Sequence, residues 1–378
     1  MRNSKNDSKM KDIFVTKPSL PNLEDLIPLL HEIWDRGVLT NSGPFHKKLE
    51  DSLCDYLNVP HISLFCNGSI ALVTALKALD ITGEVITTPY SFVATAHSLV
   101  WNNIKPIFVD IDSQTLCLDP NKIEESITSK TSAILPVHVY GQPCDVDAIE
   151  EIAKKHKLKV IYDAAHAFGV KCHCGSILNH GDLSVLSFHA TKVFNTFEGG
   201  AIICKDYETK QRIDQLKNFG FISETSVTNT GINGKMNEFS SAIGLLQIRT
   251  IDDNINKRKK IDNIYRNNLK KIPGIRLYET LSTIKTNHSY FPVFVEIDYS
   301  LTRDQLYFKM KENGINCRRY FYPLITDLEV FKNRPENFGN VKFTIATKAA
   351  ETVLCLPIYP SLSDNDVHNI INIISKYS

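Results

Sequence analysis

From Leu23 the apolar positions recur at helical spacing, through Leu26, Leu30 and Ile33 to Trp34, which predicts a helix in spite of Pro28. A second helix is expected after Gly43 and Pro44, where FHKKLEDSLCDYL repeats that period. Beyond it two textures alternate. Short β-branched or aromatic runs (HISLFC, GEVITTP, KPIFVDID, SAILPVHVY, KVIYDAA, SVLSFHA and GAIICK) are separated by charged amphipathic stretches such as DVDAIEEIAKKHK. Such alternation predicts an α/β fold of βαβ units with a mostly parallel central sheet. Several runs are almost continuously apolar, as strands covered on both faces must be. Near Ile248 the pattern changes to a Lys- and Asn-rich helix (DDNINKRKKIDNIYRNNLKK), a strand in SYFPVFVEI, a helix in LTRDQLYFKMKENG and a last helix near DNDVHNIINIISKY. The expected organisation is a loose tail over residues 1–12, a large domain over 13–250 and a smaller C-terminal α+β domain over 251–378.

Composition narrows the function classes. The 378 residues are 43% hydrophobic and 22% charged, the mix of a folded globular chain rather than a disordered one. Lys plus Arg number 43 against 42 Asp plus Glu, so the net charge of +1 provides no global field for nucleic acid or an anionic membrane surface. An anionic ligand must be met by a local site. No stretch approaches the roughly 20 apolar residues of a membrane span, and the start MRNSKNDSKMKD lacks a signal-peptide core, so a cytoplasmic location is expected. Nine cysteines, scattered from Cys54 to Cys355, argue against a disulfide framework. Cys172, His173 and Cys174 have no second Cys/His pair at finger-like spacing, and no metal is expected there.

Four features fall at the ends of predicted strands. CNGSIAL follows HISLFC and opens a helix; the amides of Gly68 and Ser69, with the Ser69 hydroxyl, can hold a phosphate, although Asn-Gly-Ser also makes ordinary turns. KVIYDAAHAFG places Asp163 where an apolar strand gives out, the edge at which open α/β sheets bind ligands; a helix N-cap reads equally well there. SVLSFHATKVFNTFEGG puts Lys192 in a loop flanked by Phe188, Val193 and Phe194, where lost solvation lowers an amine's pKa and makes it nucleophilic. Ser187 and Thr191 can join the phosphate site, and Gly199 and Gly200 let the chain turn back. In TTPYSFVATA, Phe92 can stack on an aromatic ligand or simply fill core. A carboxylate for a pyridinium nitrogen, an amine for an imine and a phosphate cradle together suit pyridoxal phosphate.

The set NGSIAL, TTPYSFVATA, VHVYGQPCD, DAAHAFG, SFHATKVFNTFEGG, INGKMNE and YFYPL resembles the DegT–StrS family of sugar aminotransferases, from about Ile13 to Pro360 and in the family's order. The resemblance implies pyridoxal 5'-phosphate as cofactor and the aspartate-aminotransferase-like fold. It makes Lys192 the lysine that bonds the cofactor and moves the proton, Asp163 the partner of the ring nitrogen, His166 the neighbour of the ring oxygen and Phe92 the stacking residue. Gly68, Ser69 and Ser187 become the phosphate site, and Asn233, in GINGKM, reaches the cofactor phosphate of a partner subunit, so a homodimer with shared sites is implied. Two positions depart from the common pattern: His166 stands where many relatives have glutamine, and Lys235 where many have arginine. Relatives with histidine in place of the lysine are dehydratases, a reading that Lys192 disfavours.

Family members transaminate keto sugars carried on a nucleoside diphosphate, with L-glutamate as the usual donor. The finer pattern is closest to enzymes of thymidine-diphosphate-linked amino-dideoxy hexoses for surface polysaccharide, so dTDP-4-keto-6-deoxyglucose is the expected acceptor. Amination at carbon 3 instead of carbon 4 stays open, since a rotation of the hexose would exchange them. Lys217, Lys235, Arg318 and Arg319 are candidate cations for the anionic substrates, and His288, Arg318, Tyr320 and Tyr322 candidate sugar contacts. A cofactor-binding regulator would carry a DNA-binding module and a dehydrogenase a Gly-x-Gly-x-x-Gly loop; neither pattern is found.

Overall fold

The computed structural model describes residues 12–280, 283–333 and 342–378. The expected loose tail, apart from Asp12, lies outside the described residues. Seven strands form the central sheet in the order His61–Phe65, Gly200–Cys204, Leu183–Ser187, Lys159–Asp163, Thr131–Leu135, Glu84–Thr87 and Lys105–Phe108. Gly200–Cys204 runs against both of its neighbours, while the remaining pairings are parallel. The chain is therefore α/β with a mostly parallel sheet, as the alternating pattern predicts.

Coverage on both faces explains the continuous apolar runs. Ala71, Leu72, Ala75 and Leu76 of the helix Gly68–Ala78 pack with Leu183, Val185 and Ile202 on one side of the sheet. Ile62, Leu64, Ile86 and Ile134 belong to a second cluster with the helix Pro44–Leu57 and the first half of the helix Glu238–Leu269. The run SAILPVHVY is strand only as far as Leu135. Pro136 has no N–H to give to a ladder; its carbonyl accepts from the Asp163 N–H at 2.9 Å, and the chain turns into the short 3-10 segment Val139–Gly141.

The Lys/Asn-rich helix begins earlier than its texture suggests and runs unbroken over Glu238–Leu269. Its first half joins the core of the large sheet through Ala242, Ile243 and Leu246. Its last turns carry Ile261, Tyr265 and Leu269 into a separate core, built on the antiparallel strands Ile275–Leu277, Phe291–Val295 and Val353–Leu356 with the helices Arg303–Glu312 and Asp364–Ser375. Ile13 also packs in that core, because Ile13–Phe14 pairs in parallel with Ile315–Asn316. All nine cysteines are free, and five of them are buried. No helix among the described residues is long and apolar enough to cross a membrane.

Candidate active site

Asp163, Ser187, Gly68 and the loop through Phe92 all emerge from the carboxyl ends of the parallel strands, one edge of the sheet. Gly200, the first residue of the reversed strand, begins at the same edge. Ligands of open α/β sheets bind at this edge because helix N-termini and strand ends leave backbone groups free there.

Asp163 ends its strand 4% exposed. The Thr95 hydroxyl donates to one carboxylate oxygen at 2.7 Å and the Ala165 N–H to the other at 3.1 Å. Among the described residues no salt bridge reaches Asp163. Burial raises its carboxyl pKa, opposed by those two donors and by the charge of Lys192. A buried carboxylate held ready by two donors but lacking a cation suits a protonated ring nitrogen.

Lys192 stands in a turn closed by its own N–H donating to the His189 carbonyl at 2.9 Å. Burial lowers its ammonium pKa to about 8, with Asp163 pulling the other way. The two side chains thus share one electrostatic environment. His166 is buried as well, and burial first, then the Lys192 charge, holds its pKa well below the ordinary value. Its Nδ1 accepts from the Tyr140 N–H at 3.2 Å, which leaves the proton of the neutral ring on Nε2 as a donor. Phe321 lies parallel to this ring at 6.0 Å between centroids, and Tyr290 meets it edge-on at 4.9 Å.

Asn67 caps the helix Gly68–Ala78, its Oδ1 accepting from the Ile70 N–H at 2.8 Å. A Cβ on Gly68 would lie 2.9 Å from the Ser187 Cβ, and one on Gly200 would lie 2.7 Å from the Gly68 nitrogen. Glycine at both positions is what lets the helix N-terminus close on Ser187, and the resulting cradle of amides and hydroxyls fits a phosphate. Ser69 is exposed beside it, and Phe92 projects with 60% of its surface open.

Other expected residues stand elsewhere or are already engaged. Lys217 is buried, with its ammonium 2.7 Å from Asp214, 3.5 Å from Glu50 and donating to the Ser63 hydroxyl at 2.8 Å, so its charge is spent inside the protein. His288 Nδ1 lies 3.3 Å from Asp262 of the long helix. Arg319 pairs with Asp304 at 2.8 Å, and Arg303 and Arg319 both lie over the Tyr322 ring. Tyr320 packs edge-on against Tyr290, one ring removed from His166, and its carbonyl accepts from the hydroxyls of Tyr90 and Tyr140. Arg318 is exposed. Lys235 donates to Asn218 at 2.6 Å and stacks over Phe219, while Asn233 beside it is exposed. Sequence reasoning missed Thr95, Tyr140 and Phe321, whose partners lie at long separations in the chain and leave no local pattern.

The profile described as the DegT/DnrJ/EryC1/StrS aminotransferase family matches residues 23–375. A Shigella dysenteriae protein named dTDP-4-amino-4,6-dideoxy-D-glucose transaminase is 55% identical over 366 residues, covering 97% of this chain and 99% of its own. Among solved structures, DesI, crystallised in the presence of its TDP-sugar product, superposes with a TM-score of 0.92 at 31% identity, covering 97% of this chain and 93% of its own. NtdA of Bacillus subtilis, with bound cofactor PMP, gives 0.83 at 30% identity over 93% of this chain and 82% of its own. Matched almost end to end in both sequence and fold, the chain belongs to the DegT/DnrJ/EryC1/StrS aminotransferase family.

Proposed function

We propose that this aminotransferase moves the amino group of L-glutamate to dTDP-4-keto-6-deoxy-D-glucose, giving dTDP-4-amino-4,6-dideoxy-D-glucose and 2-oxoglutarate, with pyridoxal 5'-phosphate as cofactor. The observation that carries the substrate is 55% identity, across 97% of the chain, to a transaminase named for that product. The reaction fits a cytoplasmic step that supplies an amino sugar for O-antigen.

Pyridoxal phosphate, when bound, supplies an aldehyde that accepts the amino group and a ring that draws electrons from the bond being broken. Lys192 would bond that aldehyde, a role supported by its lowered pKa beside Asp163. With the cofactor bound, the neutral Lys192 amine would carry the proton of the 1,3-shift between the substrate carbon and the carbon of that aldehyde, in opposite directions in the two halves of the reaction. A pKa near 8 keeps a useful fraction of the amine neutral near physiological pH. Asp163 would hold a positive ring nitrogen, and its own donors oppose the rise in pKa that burial brings. His166 offers its Nε2–H to the ring oxygen, and Phe92 covers a ring face. Gly68, Ser69 and Ser187 take the phosphate, joined by Asn233 of a second copy in a homodimer, a role that suits the exposed position of this side chain.

The test is incubation of the purified protein with dTDP-4-keto-6-deoxyglucose and L-glutamate, followed by NMR of the product. A new nitrogen on carbon 4 is expected; nitrogen on carbon 3, or no reaction, overturns the named substrate.

A further inference from the structure

Cys172, His173 and Cys174 form the tip of a small hairpin away from the residues assigned to catalysis. Lys171–Cys172 pairs antiparallel with Gly175–Ser176, leaving His173 and Cys174 as the two-residue turn, and Gly175 supplies the positive φ of 112° that closes it. The ligand atoms of the three residues lie within 4.8 Å of one another. Along the chain they lack partners, but the fold provides one. Ile177 and Leu178 are buried in a single 3-10 turn, and this turn carries His180 back over the hairpin. His180 Nε2 stands 3.2 Å from the Cys174 sulfur and 3.6 Å from the Cys172 sulfur.

From these positions we infer that Cys172, Cys174, His180 and His173 form a binding site for a thiophilic divalent cation of the zinc class. In a tetrahedral zinc site with Zn–S of about 2.3 Å and Zn–N of about 2.0 Å, sulfur and nitrogen ligands sit about 3.5 Å apart. The two His180 contacts bracket that separation, so the His180 imidazole stands at tetrahedral-edge distance from each sulfur. Two thiolates and two imidazoles fill four positions, which makes the site a structural one rather than one with a position open to substrate. Its effect would reach the sheet edge. Lys171 exchanges two backbone hydrogen bonds with Lys285, at 3.1 and 2.9 Å, and Asn287 two residues on donates to the carbonyls of His166 and Phe168. Clipping the hairpin to His180 therefore braces the loop that presents His166.

The test uses the full-length, reduced protein with zinc or cobalt(II) alone, read by competition against a chromophoric chelator and by absorbance. One equivalent of zinc should be withheld from the chelator, and cobalt(II) should produce an intense thiolate charge-transfer band. Cys172→Ser/Cys174→Ser should abolish both. His180→Ala should weaken zinc by more than the ~10–100-fold that loss of an outer-shell partner brings. A cobalt spectrum of the unaltered protein without the thiolate band overturns the assignment, whether or not the variants fold. So does a double-serine variant that withholds the same equivalent of zinc.

Discussion

The Thr95 hydroxyl donates to the Asp163 carboxylate at 2.7 Å, joining the turn after Phe92 to the end of a strand 68 residues later. Through this bond the loop of the expected stacking residue and the expected partner of the ring nitrogen are held in one arrangement. Burial works against the ionised form of Asp163, so each donor matters. Thr95→Val removes the donor and keeps the volume. The Asp163 pKa should rise further, moving the acid limb of the pH–rate profile upward, and kcat should fall by ~10-fold, the worth of a ~1.4 kcal/mol hydrogen bond to a charged group. Thr95→Ser should restore both. A profile for Thr95→Val that overlays the parent's would show that the bond does not tune the carboxylate.

Lys192 should titrate well below an ordinary lysine. In cofactor-free protein, reductive trapping of a small aldehyde at Lys192, followed by peptide mass spectrometry, should reach half its maximum near pH 8 rather than near 10.5. The Asp163 charge stabilises the ammonium, so Asp163→Asn should move that midpoint down, not up. An upward shift would contradict the shared environment of the two side chains.

Replacing Lys192 by Ala removes the amine assigned to carry the proton, and turnover should drop by at least ~10³-fold. The turn is held by backbone bonds, so the circular dichroism spectrum should not change. Residual turnover within tenfold of the parent is the result that removes Lys192 from the mechanism.

Gly68→Ala places a Cβ 2.9 Å from that of Ser187. The helix N-terminus must shift, at a cost of about 1–3 kcal/mol in stability, and cofactor affinity measured by equilibrium dialysis should fall with it. Adding Ser187→Gly removes the clash and should recover the melting temperature. The cofactor affinity should stay low, because the Ser187 hydroxyl is gone.

Lys217 is predicted to act in stability and not in substrate binding. Lys217→Met leaves Asp214 and Glu50 with Lys210 as their shared cation and the Ser63 hydroxyl without its donor, and unfolding should become easier by about 1–3 kcal/mol. Burial pushes the Glu50 pKa up, but the His46 hydrogen bond and the Lys217 and Lys210 charges carry it below the usual carboxylate range. A depressed carboxylate stabilises the fold above its unfolded pKa and loses that contribution as pH falls. The acid-unfolding midpoint of Lys217→Met should therefore move to higher pH, while KM for the nucleotide sugar stays within twofold. A selective rise in KM with unchanged stability would return Lys217 to the substrate site.

The periodicity of the chain was enough to foresee the parallel sheet, because strands covered by helices on both faces have to be apolar along their length. The same reasoning put Asp163, Ser187 and Gly68 at one edge of the sheet, since each follows an apolar run and so falls where a strand stops. It overextended SAILPVHVY as one strand: past Pro136, which has no N–H to give, the pairing shrinks to a single bridge of Val137 with Asp163 before the chain turns. It also offered Lys217 and His288 as substrate contacts, and the fold gives them to Asp214 and Asp262. A side chain's type carries no information about which distant group will neutralise it.

What the sequence determined by itself is therefore the set of local decisions: which segments are strands or helices, where they end, and which chemically able residues stand at those ends. Only the tertiary structure decided the pairings. The helix Pro44–Leu57 has Gly43 at its N-cap and no local side chain to satisfy its first amides. Those of Phe45 and His46 are taken by the buried Glu238 carboxylate, at 3.0 and 2.8 Å, from almost two hundred residues away. Thr95 with Asp163 arises in the same way. Local structure follows from steric and solvation preferences that each residue carries with it. Hydrogen bonds and ion pairs depend on which surfaces the packed core leaves facing one another.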